Sequence, residues 1–251
     1  MLEFKLDEND IVIADGTSEG TQIKYYKNGY WYKKDKDGKE GLCEYLASKL
    51  LTFSSLDPSE YIIYEQVIIN GKSGCRSKNY LNKDEEFITL YRLYYNEFGK
   101  NLSEVIAGYE RMEDRIKLVL DFVKNSTGVD LSDYLSKIFT LDRIILNEDR
   151  HVNNLAIIEA NGIYRVAPIF DNGRSLLTAN QSVRWNAYGI SENVKRVSAR
   201  PFSGSFQKMY EYFGRGFEID YDAALKWLQG EPESRERDIL IYQLENVRLI
   251  N

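Results

Sequence analysis

The sequence predicts an α+β protein of two lobes, in which a small β-rich lobe with one helix precedes a larger helical lobe. Three observations lead to this prediction. Short β-type runs dominate the start of the chain, apolar residues recur at helical spacing from about residue 83, and one polar hairpin interrupts the helical part. We assign the lobes to residues 1–82 and 83–251. The cleft that such lobes leave between them is a common place for a ligand.

The first lobe begins with short strands joined by tight turns. The runs predicted as strands before its helix are IVIADG, TQIKYY and YWYKKD. Asn28-Gly29 separates the last two, and Asn-Gly between β-type runs is a strong hairpin signal. Leucines recur every fourth residue in EGLCEYLASKLL, which predicts the helix. YIIYEQVII then predicts a return to strand, and CRSKNYL is a further candidate.

Helical periodicity dominates the second lobe. The predicted helices are DEEFITLYRLYYNEFG, RMEDRIKLVLDFVKNSTG, DLSDYLSKIFTLDRIILN, YDAALKWLQG and RERDILIYQLENVRLI. Gly99 and Gly128 end the first two, and Asn101 with Glu104 resembles a capping box that opens another helix. NLAIIEA and IYRVAPI flank Asn161-Gly162 and predict a hairpin.

Composition and charge exclude several classes of function. The formal net charge of −6 argues against a general nucleic-acid binder, which needs a basic surface. No apolar run approaches the length of a membrane span. The first residues are acidic where a signal peptide has a basic head, so a cytoplasmic protein is the default expectation. Cys43 and Cys75 have no second cysteine or histidine at metal-ligand spacing.

A polar cluster follows the apolar run Ile144–Leu146 and includes His151, the single histidine. Asn154 lies five positions after Asp149, and an Asp-x-Gly segment begins at Asp171. Phosphoryl-transfer sites use a carboxylate to position the acceptor hydroxyl, and an amide and a carboxylate oxygen to hold Mg²⁺. The order and spacing therefore predict such a site. The alternative is that these are ordinary turn residues and a structural histidine.

The first lobe offers groups suited to a nucleotide. Gly16 and Gly20 lie in a polar turn between strands, where backbone amides could approach phosphate. Lys33 follows the Asn-Gly turn on the next strand, and Glu40 and Glu44 lie one turn apart on the helix after it. Either glutamate could orient a phosphate-binding Lys33. The alternative is that Lys33 belongs to a solvated basic rim. Together these residues suit the phosphates of a nucleotide.

With these residues established, the sequence resembles the HipA-like kinases, including the bacterial cell-translocating kinase group. These are atypical relatives of the phosphatidylinositol 3/4-kinases. NEDRHVNN resembles the Asp-x-His-x-x-Asn catalytic loop of the family, PIFDNG resembles its metal-binding segment, and GTQIK resembles its phosphate loop. The similarity extends from about Gly16 to Phe206. It implies a two-lobed, protein-kinase-like fold that uses ATP and Mg²⁺.

The resemblance also implies roles for individual residues. Asp149 would be the catalytic base, Asn154 and Asp171 the Mg²⁺ ligands, and Lys33 the ATP lysine. His151 would stabilise the transferring phosphate or shape the loop. The order Asp-Arg-His reverses the His-Arg-Asp of ordinary protein kinases, so roles known there do not carry over to Arg150 and His151.

Regulation and partners are implied only in outline. In the toxin members of the family a serine of the glycine loop is autophosphorylated, and Thr17 or Ser18 best matches it here. Those toxins also carry a further N-terminal region before the glycine loop, so pairing with an antitoxin does not follow from the resemblance. An antitoxin-like or effector partner stays an open expectation.

The leading expectation is therefore a kinase of serine or threonine in a protein substrate of unknown identity. A pseudokinase-like module that binds nucleotide or a partner is the first alternative, and a lipid or small-molecule kinase with the same site is the second. Residues 172–215 contain seven basic residues against two acidic ones, which would suit an anionic acceptor or simply a solvated loop.

Overall fold

The computed structural model describes residues 1–12 and 23–250, with side chains up to Arg248. Its first part is a six-stranded sheet with the strand order β1-β5-β6-β4-β3-β2. The strands are β1 (Leu2–Phe4), β2 (Ile11–Val12), β3 (Lys24–Lys27), β4 (Tyr30–Lys34), β5 (Tyr64–Ile69) and β6 (Lys72–Lys78). All neighbours are antiparallel except β1 and β5, which run parallel.

The predicted hairpin between β3 and β4 is confirmed. Asn28 and Gly29 form the turn with φ values of 51° and 80°, a conformation that asparagine and glycine adopt most readily. The turn fixes the register, so that Lys24 lies opposite Lys33 on the neighbouring strand. Cross-strand partners project from the same face of a sheet, and the register therefore brings these two lysines together.

The predicted helix of the first part is also confirmed, as α1 (Glu40–Leu51). It packs against β5 and β6 on one side and contacts the C-terminal helix on another. Gly41 allows this close approach, because a Cβ atom there would lie 2.5 Å from the carbonyl carbon of Gly74. The helix is thus held directly against the sheet that carries Lys33.

The rest of the chain is mainly helical. The helices are α2 (Leu90–Phe98), α3 (Leu102–Ala107), α4 (Met112–Thr127), α5 (Ser132–Ile145), α6 (Ile190–Asn193), α7 (Phe206–Phe213), α8 (Tyr221–Gly230) and α9 (Arg235–Ile250). Gly99 and Gly128 end α2 and α4 in the left-handed conformation, as predicted. Asn101 caps α3 by accepting the backbone N–H of Ser103. The sequence prediction missed α6 and α7.

One predicted helix begins too early. Glu86–Thr89 form a strand, β7, which pairs with β8 (Ala156–Ala160); β8 in turn pairs with β9 (Ile163–Val166). The hydrophobic spacing of DEEFITL suits a helix, but pairing with the hairpin satisfies its backbone instead. Thr89 then caps α2 by accepting the N–H of Arg92.

The small sheet positions the polar segments of the sequence. Residues 147–155 connect α5 to β8, and residues 167–173 follow β9, so both emerge at the same end of this hairpin. The predicted α+β architecture, a β-rich part followed by a helical part, is confirmed. Among the described residues, no helix is long and apolar enough to cross a membrane.

Candidate active site

The loop that carries Asp149 begins where α5 ends. Leu146 ends the helix with a φ of 54°, and the next residue, Asn147, is fully buried. The amide oxygen of Asn147 accepts the N–H of Asp149 at 3.0 Å, and its amide nitrogen lies 3.5 Å from the carbonyl oxygen of Asp171. Asn147 therefore connects the two segments that the sequence predicted to act together.

A hydrogen bond from the Asn154 side chain to the Asp149 backbone joins the two residues across this loop. The amide nitrogen of Asn154 donates to the Asp149 carbonyl at 2.9 Å. Because the nitrogen of the amide is used in this way, its oxygen is the atom left for a cation. The Asp149 side chain is 39% exposed, so an acceptor hydroxyl can reach its carboxylate.

Asp171 lies at the other side of the site, with a left-handed φ of 57°. Its carboxylate accepts the Lys33 ammonium at 2.8 Å and is still 30% exposed. Burial opposes the ionised form, but the ammonium groups of Lys33 and Lys24 outweigh it and hold the pKa of Asp171 well below its usual range. The carboxylate is therefore charged and open on one side to a further ligand.

Lys33 has two carboxylate partners. Besides Asp171 it contacts Glu44 at 3.0 Å, and Glu44 is almost completely buried. Burial favours the neutral amine, but the two carboxylates raise the pKa of Lys33 well above its ordinary value. The second Glu44 oxygen accepts the backbone N–H of Asn172 at 2.8 Å. Glu44 thus joins the strand lysine to the segment that contains Asp171.

Of the two glutamates that the sequence left open, the structure brings Glu44 to Lys33 and turns Glu40 away. Glu40 instead accepts the backbone N–H groups of Lys36, Asp37 and Gly38 at 3.0–3.2 Å. It therefore organises the loop before α1. The expectation that Glu40 could orient Lys33 is not supported by this geometry.

Lys33 and Lys34 project to opposite faces of the sheet, as strand alternation requires. The Lys34 ammonium lies 3.1 Å from the Tyr25 hydroxyl and 4.9 Å from the centre of its ring. The Lys33 side chain is only 13% exposed. Lys33 is therefore not part of a solvated basic rim.

Lys24 is a second ammonium beside Lys33, and its position in the sequence gave no sign of a role. Burial, and then the charge of Lys33, lower its pKa below the ordinary lysine value. Asp171 and Glu44 act in the opposite direction. Within residues 1–12 and 23–248, Lys24 makes no ion pair.

His151 lies beside Asp149. Its Nε2 atom is 3.9 Å from the Asp149 carboxylate. Its Nδ1 atom is buried and has no hydrogen-bond partner in the described part of the chain. An unsatisfied buried polar atom costs about 1–3 kcal/mol, and within residues 147–155 this nitrogen is the one buried side-chain polar atom without a partner.

Arg150, between these two residues, is completely buried. It makes a bidentate contact with Asp142 of α5, at 3.0 and 2.9 Å, and it also contacts Asn154, Phe170 and Asn172. Sequence reasoning missed Asp142 and Asn172. The one available signal was an acidic residue, Asp142, within the apolar face of a helix.

The residues present fit Mg²⁺ held together with a nucleotide. Their donor atoms are an amide oxygen of Asn154 and a carboxylate oxygen of Asp171, the hard ligands that Mg²⁺ prefers. Among the described residues, no three His, Cys, Asp or Glu side chains could enclose a metal by themselves. Mg²⁺ bound here would need further oxygen ligands besides these two side chains. Gly16 and Gly20, predicted to approach the phosphates, lie outside the described residues, as do Thr17 and Ser18.

The β-rich part, the helical part and this cluster between them are those of a two-lobed kinase fold. The structure of a proinflammatory kinase from Helicobacter pylori, CtkA, superposes with a TM-score of 0.64 over 89% of this chain and 88% of that chain, at 16% identity. The HipA structure from Shewanella oneidensis, solved with HipB and operator DNA, matches with a TM-score of 0.42 at 13% identity, over 95% of this chain and 56% of that chain.

No protein-family model and no curated protein matches at the level of sequence. The similarity to CtkA is therefore one of fold, and it extends over almost the whole of both chains. The kinase-like fold that the resemblance to the HipA-like kinases implied is confirmed.

Proposed function

We propose that the protein is an ATP- and Mg²⁺-dependent kinase that phosphorylates serine or threonine hydroxyls in proteins, including its own. The observation that carries this proposal is the contact of Lys33 with both Glu44 and Asp171. Protein kinases need a strand lysine paired with a helix glutamate, together with an aspartate that holds Mg²⁺. All three groups are joined here, next to the loop of Asp149 and Asn154.

The chemistry assigned to these residues is a transfer of the γ-phosphoryl group. Asp149 accepts a hydrogen bond from the acceptor hydroxyl and takes its proton as the new oxygen–phosphorus bond forms. The bond between the γ-phosphorus and the bridging oxygen breaks, and ADP leaves. Lys33 and Lys24 bind phosphate oxygens, and bound Mg²⁺, held by Asn154 and Asp171, would neutralise the charge that develops on them.

A buried apolar cluster lies beside Lys33. Tyr64 and Cys75 belong to a buried cluster that also contains residues of β8 and Phe170. The Tyr64 ring lies 5.7 Å from the Lys33 ammonium. In this proposal residues 1–82 cover the nucleotide, and residues 83–251 supply the catalytic loop, the metal ligands and the acceptor surface.

The basic excess of residues 172–215 does not favour a lipid or another anionic acceptor. Arg174 pairs with Asp37, and Arg215 pairs with Glu218. Arg196 lies over the ring of Tyr188. Since three of the seven cations already have partners, the excess left for an anionic acceptor is smaller than the count suggests, and a protein hydroxyl is the acceptor we propose.

The test is mass spectrometry of the purified protein after incubation with Mg²⁺ and ATP, followed by peptide mapping. We expect an added phosphate, on Thr17 or Ser18 among other sites, that is absent from Asp149→Asn treated in parallel. ATP binding without phosphate transfer to the chain or to a panel of protein substrates would favour the pseudokinase-like alternative. Phosphate that appears equally in Asp149→Asn would contradict the assignment of the base.

A further inference from the structure

Arg150 makes contacts that no other side chain of the described site combines. Its Nε and Nη2 atoms donate to the two oxygens of Asp142. Its Nη1 atom donates to the carbonyl of Phe170 at 2.8 Å and to that of Asn154 at 3.3 Å. Nη2 also donates to the amide oxygen of Asn172 at 2.6 Å. The planar fork of an arginine suits several such partners at once.

These partners belong to three separate pieces of chain. Asp142 lies on α5, Asn154 ends the catalytic loop, and Phe170 and Asn172 are the two neighbours of Asp171 in sequence. Arg150 therefore forms hydrogen bonds with the metal-binding segment on both sides of Asp171. This matters because Asp171 has a φ of 57°, in the left-handed region that residues with a Cβ atom adopt less readily than glycine.

Stability alone does not account for this arrangement. The Arg150 and Asp142 side chains are 0% and 1% exposed. Removing two charges from water is expensive, and apolar side chains of similar volume often stabilise a fold as well or better. What apolar side chains cannot provide is a directional link from one loop to another.

We infer that Arg150 is a positioning residue, which holds Asp149 and Asn154 in register with Asp171 and uses Asp142 as its buried counter-ion. The same link continues through Asn172, whose backbone N–H donates to Glu44, the partner of Lys33. The kinetic consequences of this inference rest on the proposed kinase function. Its structural consequence, that the two loops are coupled, does not.

Asn172→Ala is the sharpest test. It removes the amide oxygen that accepts the hydrogen bond from Arg150 at 2.6 Å, and it keeps the backbone N–H that binds Glu44. Arg150→Lys keeps the charge and loses the fork, but it disturbs a fully buried ion pair and could prevent folding. Leu228→Ala is the matched control, because Leu228 is fully buried on α8, a helix that packs mainly against α9. It lowers stability at a position that belongs to neither loop.

The first readout is hydrogen exchange. The amides of His151 and Asn154 are bonded within the catalytic loop, to Asp149 and His151 respectively, both at 2.8 Å. We expect Asn172→Ala to speed exchange at these amides as well as at residues 170–173, and Leu228→Ala to leave both regions as in the wild type. Faster exchange at residues 170–173 alone, or the same pattern in the control, would overturn the inference.

The second readout is the Mg²⁺ concentration that gives half-maximal phosphate transfer. We expect Asn172→Ala to raise it about tenfold, as for the loss of one hydrogen bond to a charged group, with little change for Leu228→Ala. An unchanged Mg²⁺ requirement in Asn172→Ala would contradict the positioning role. If the wild type transfers no phosphate, the proposed function fails, and hydrogen exchange still decides whether Arg150 couples the loops.

Discussion

The Lys33 ammonium lies 2.8 Å from the Asp171 carboxylate, although 138 positions of chain separate the two residues. Glu44 completes the contact from the side of α1. Two consecutive elements, β4 and α1, thus meet the distant segment of Asp171 at one nitrogen atom.

Replacement of Lys33 should therefore weaken nucleotide binding and also lower the stability of the fold. We expect Lys33→Ala to weaken ATP binding at least about tenfold, since a hydrogen bond to a charged group is lost. The free energy of unfolding should fall by about 3 kcal/mol, because Glu44 remains buried without its counter-ion. Calorimetric titration with ATP and thermal unfolding measure the two effects.

Lys34→Ala is the matched control for this prediction. Lys34 is the next residue on the same strand, but it faces Tyr25 on the opposite side of the sheet. We expect ATP affinity within about twofold of the wild type. Equal losses of affinity in the two variants would mean that the face assigned to the nucleotide is wrong.

The two glutamates of α1 should behave differently. We expect Glu44→Gln to lower the rate of phosphate transfer by about tenfold or more, because Lys33 loses a charged partner at 3.0 Å. Glu40→Gln keeps an oxygen for the loop amides at residues 36–38 and should retain most of the activity. Steady-state rates at saturating ATP compare them, and a larger loss in Glu40→Gln would reverse the assignment.

Replacing Asp149 should impair catalysis, whereas replacing Asp171 should impair metal binding. We expect Asp149→Asn to lower the transfer rate by about a hundredfold or more, since a general base is lost, with ATP affinity retained. Asp171→Asn should instead raise the Mg²⁺ concentration needed for nucleotide binding. Asp121→Asn, an exposed acid on α4, is the control. Wild-type turnover in Asp149→Asn would remove Asp149 from the mechanism.

The lowered pKa of Lys24 predicts a pH effect with a definite sign. Burial and Lys33 lower this pKa in the free protein, and a bound triphosphate would raise it. At a pH between the pKa of Lys24 in the free protein and its pKa in the complex, ATP binding takes up a proton, so the affinity for ATP falls as the pH rises. Without ATP, the contribution of Lys24 to the free energy of unfolding rises with pH between its folded and unfolded pKa values, because the unfolded chain binds more protons.

Proton uptake is measured by titration calorimetry at alkaline pH in two buffers that differ in ionisation enthalpy. We expect the apparent binding enthalpy to depend on the buffer for the wild type and for Lys34→Met, and not for Lys24→Met. A buffer dependence that survives in Lys24→Met would assign the proton to another group.

The sequence by itself determined most of the local structure. The Asn28-Gly29 turn, α1 with its buried leucine face, and the glycines that end α2 and α4 follow from short-range preferences. The spacing of Asp149 and Asn154 is also local, since both belong to one short loop. These features could be predicted because their causes lie within a few residues of chain.

Only the tertiary structure decided how the pieces meet. Glu40 and Glu44 are equivalent by helical spacing, and the orientation of α1 against β5 and β6 brings Glu44 to Lys33. Residues 86–89 have helical spacing and became a strand because a hairpin formed about seventy positions later offers them backbone partners. The contacts of Arg150 with Asp142 and Asn172 join separate segments, and they exist only once α5 and both loops are packed together. Such contacts depend on packing between distant segments, which cannot be predicted from the spacing of residues along the chain.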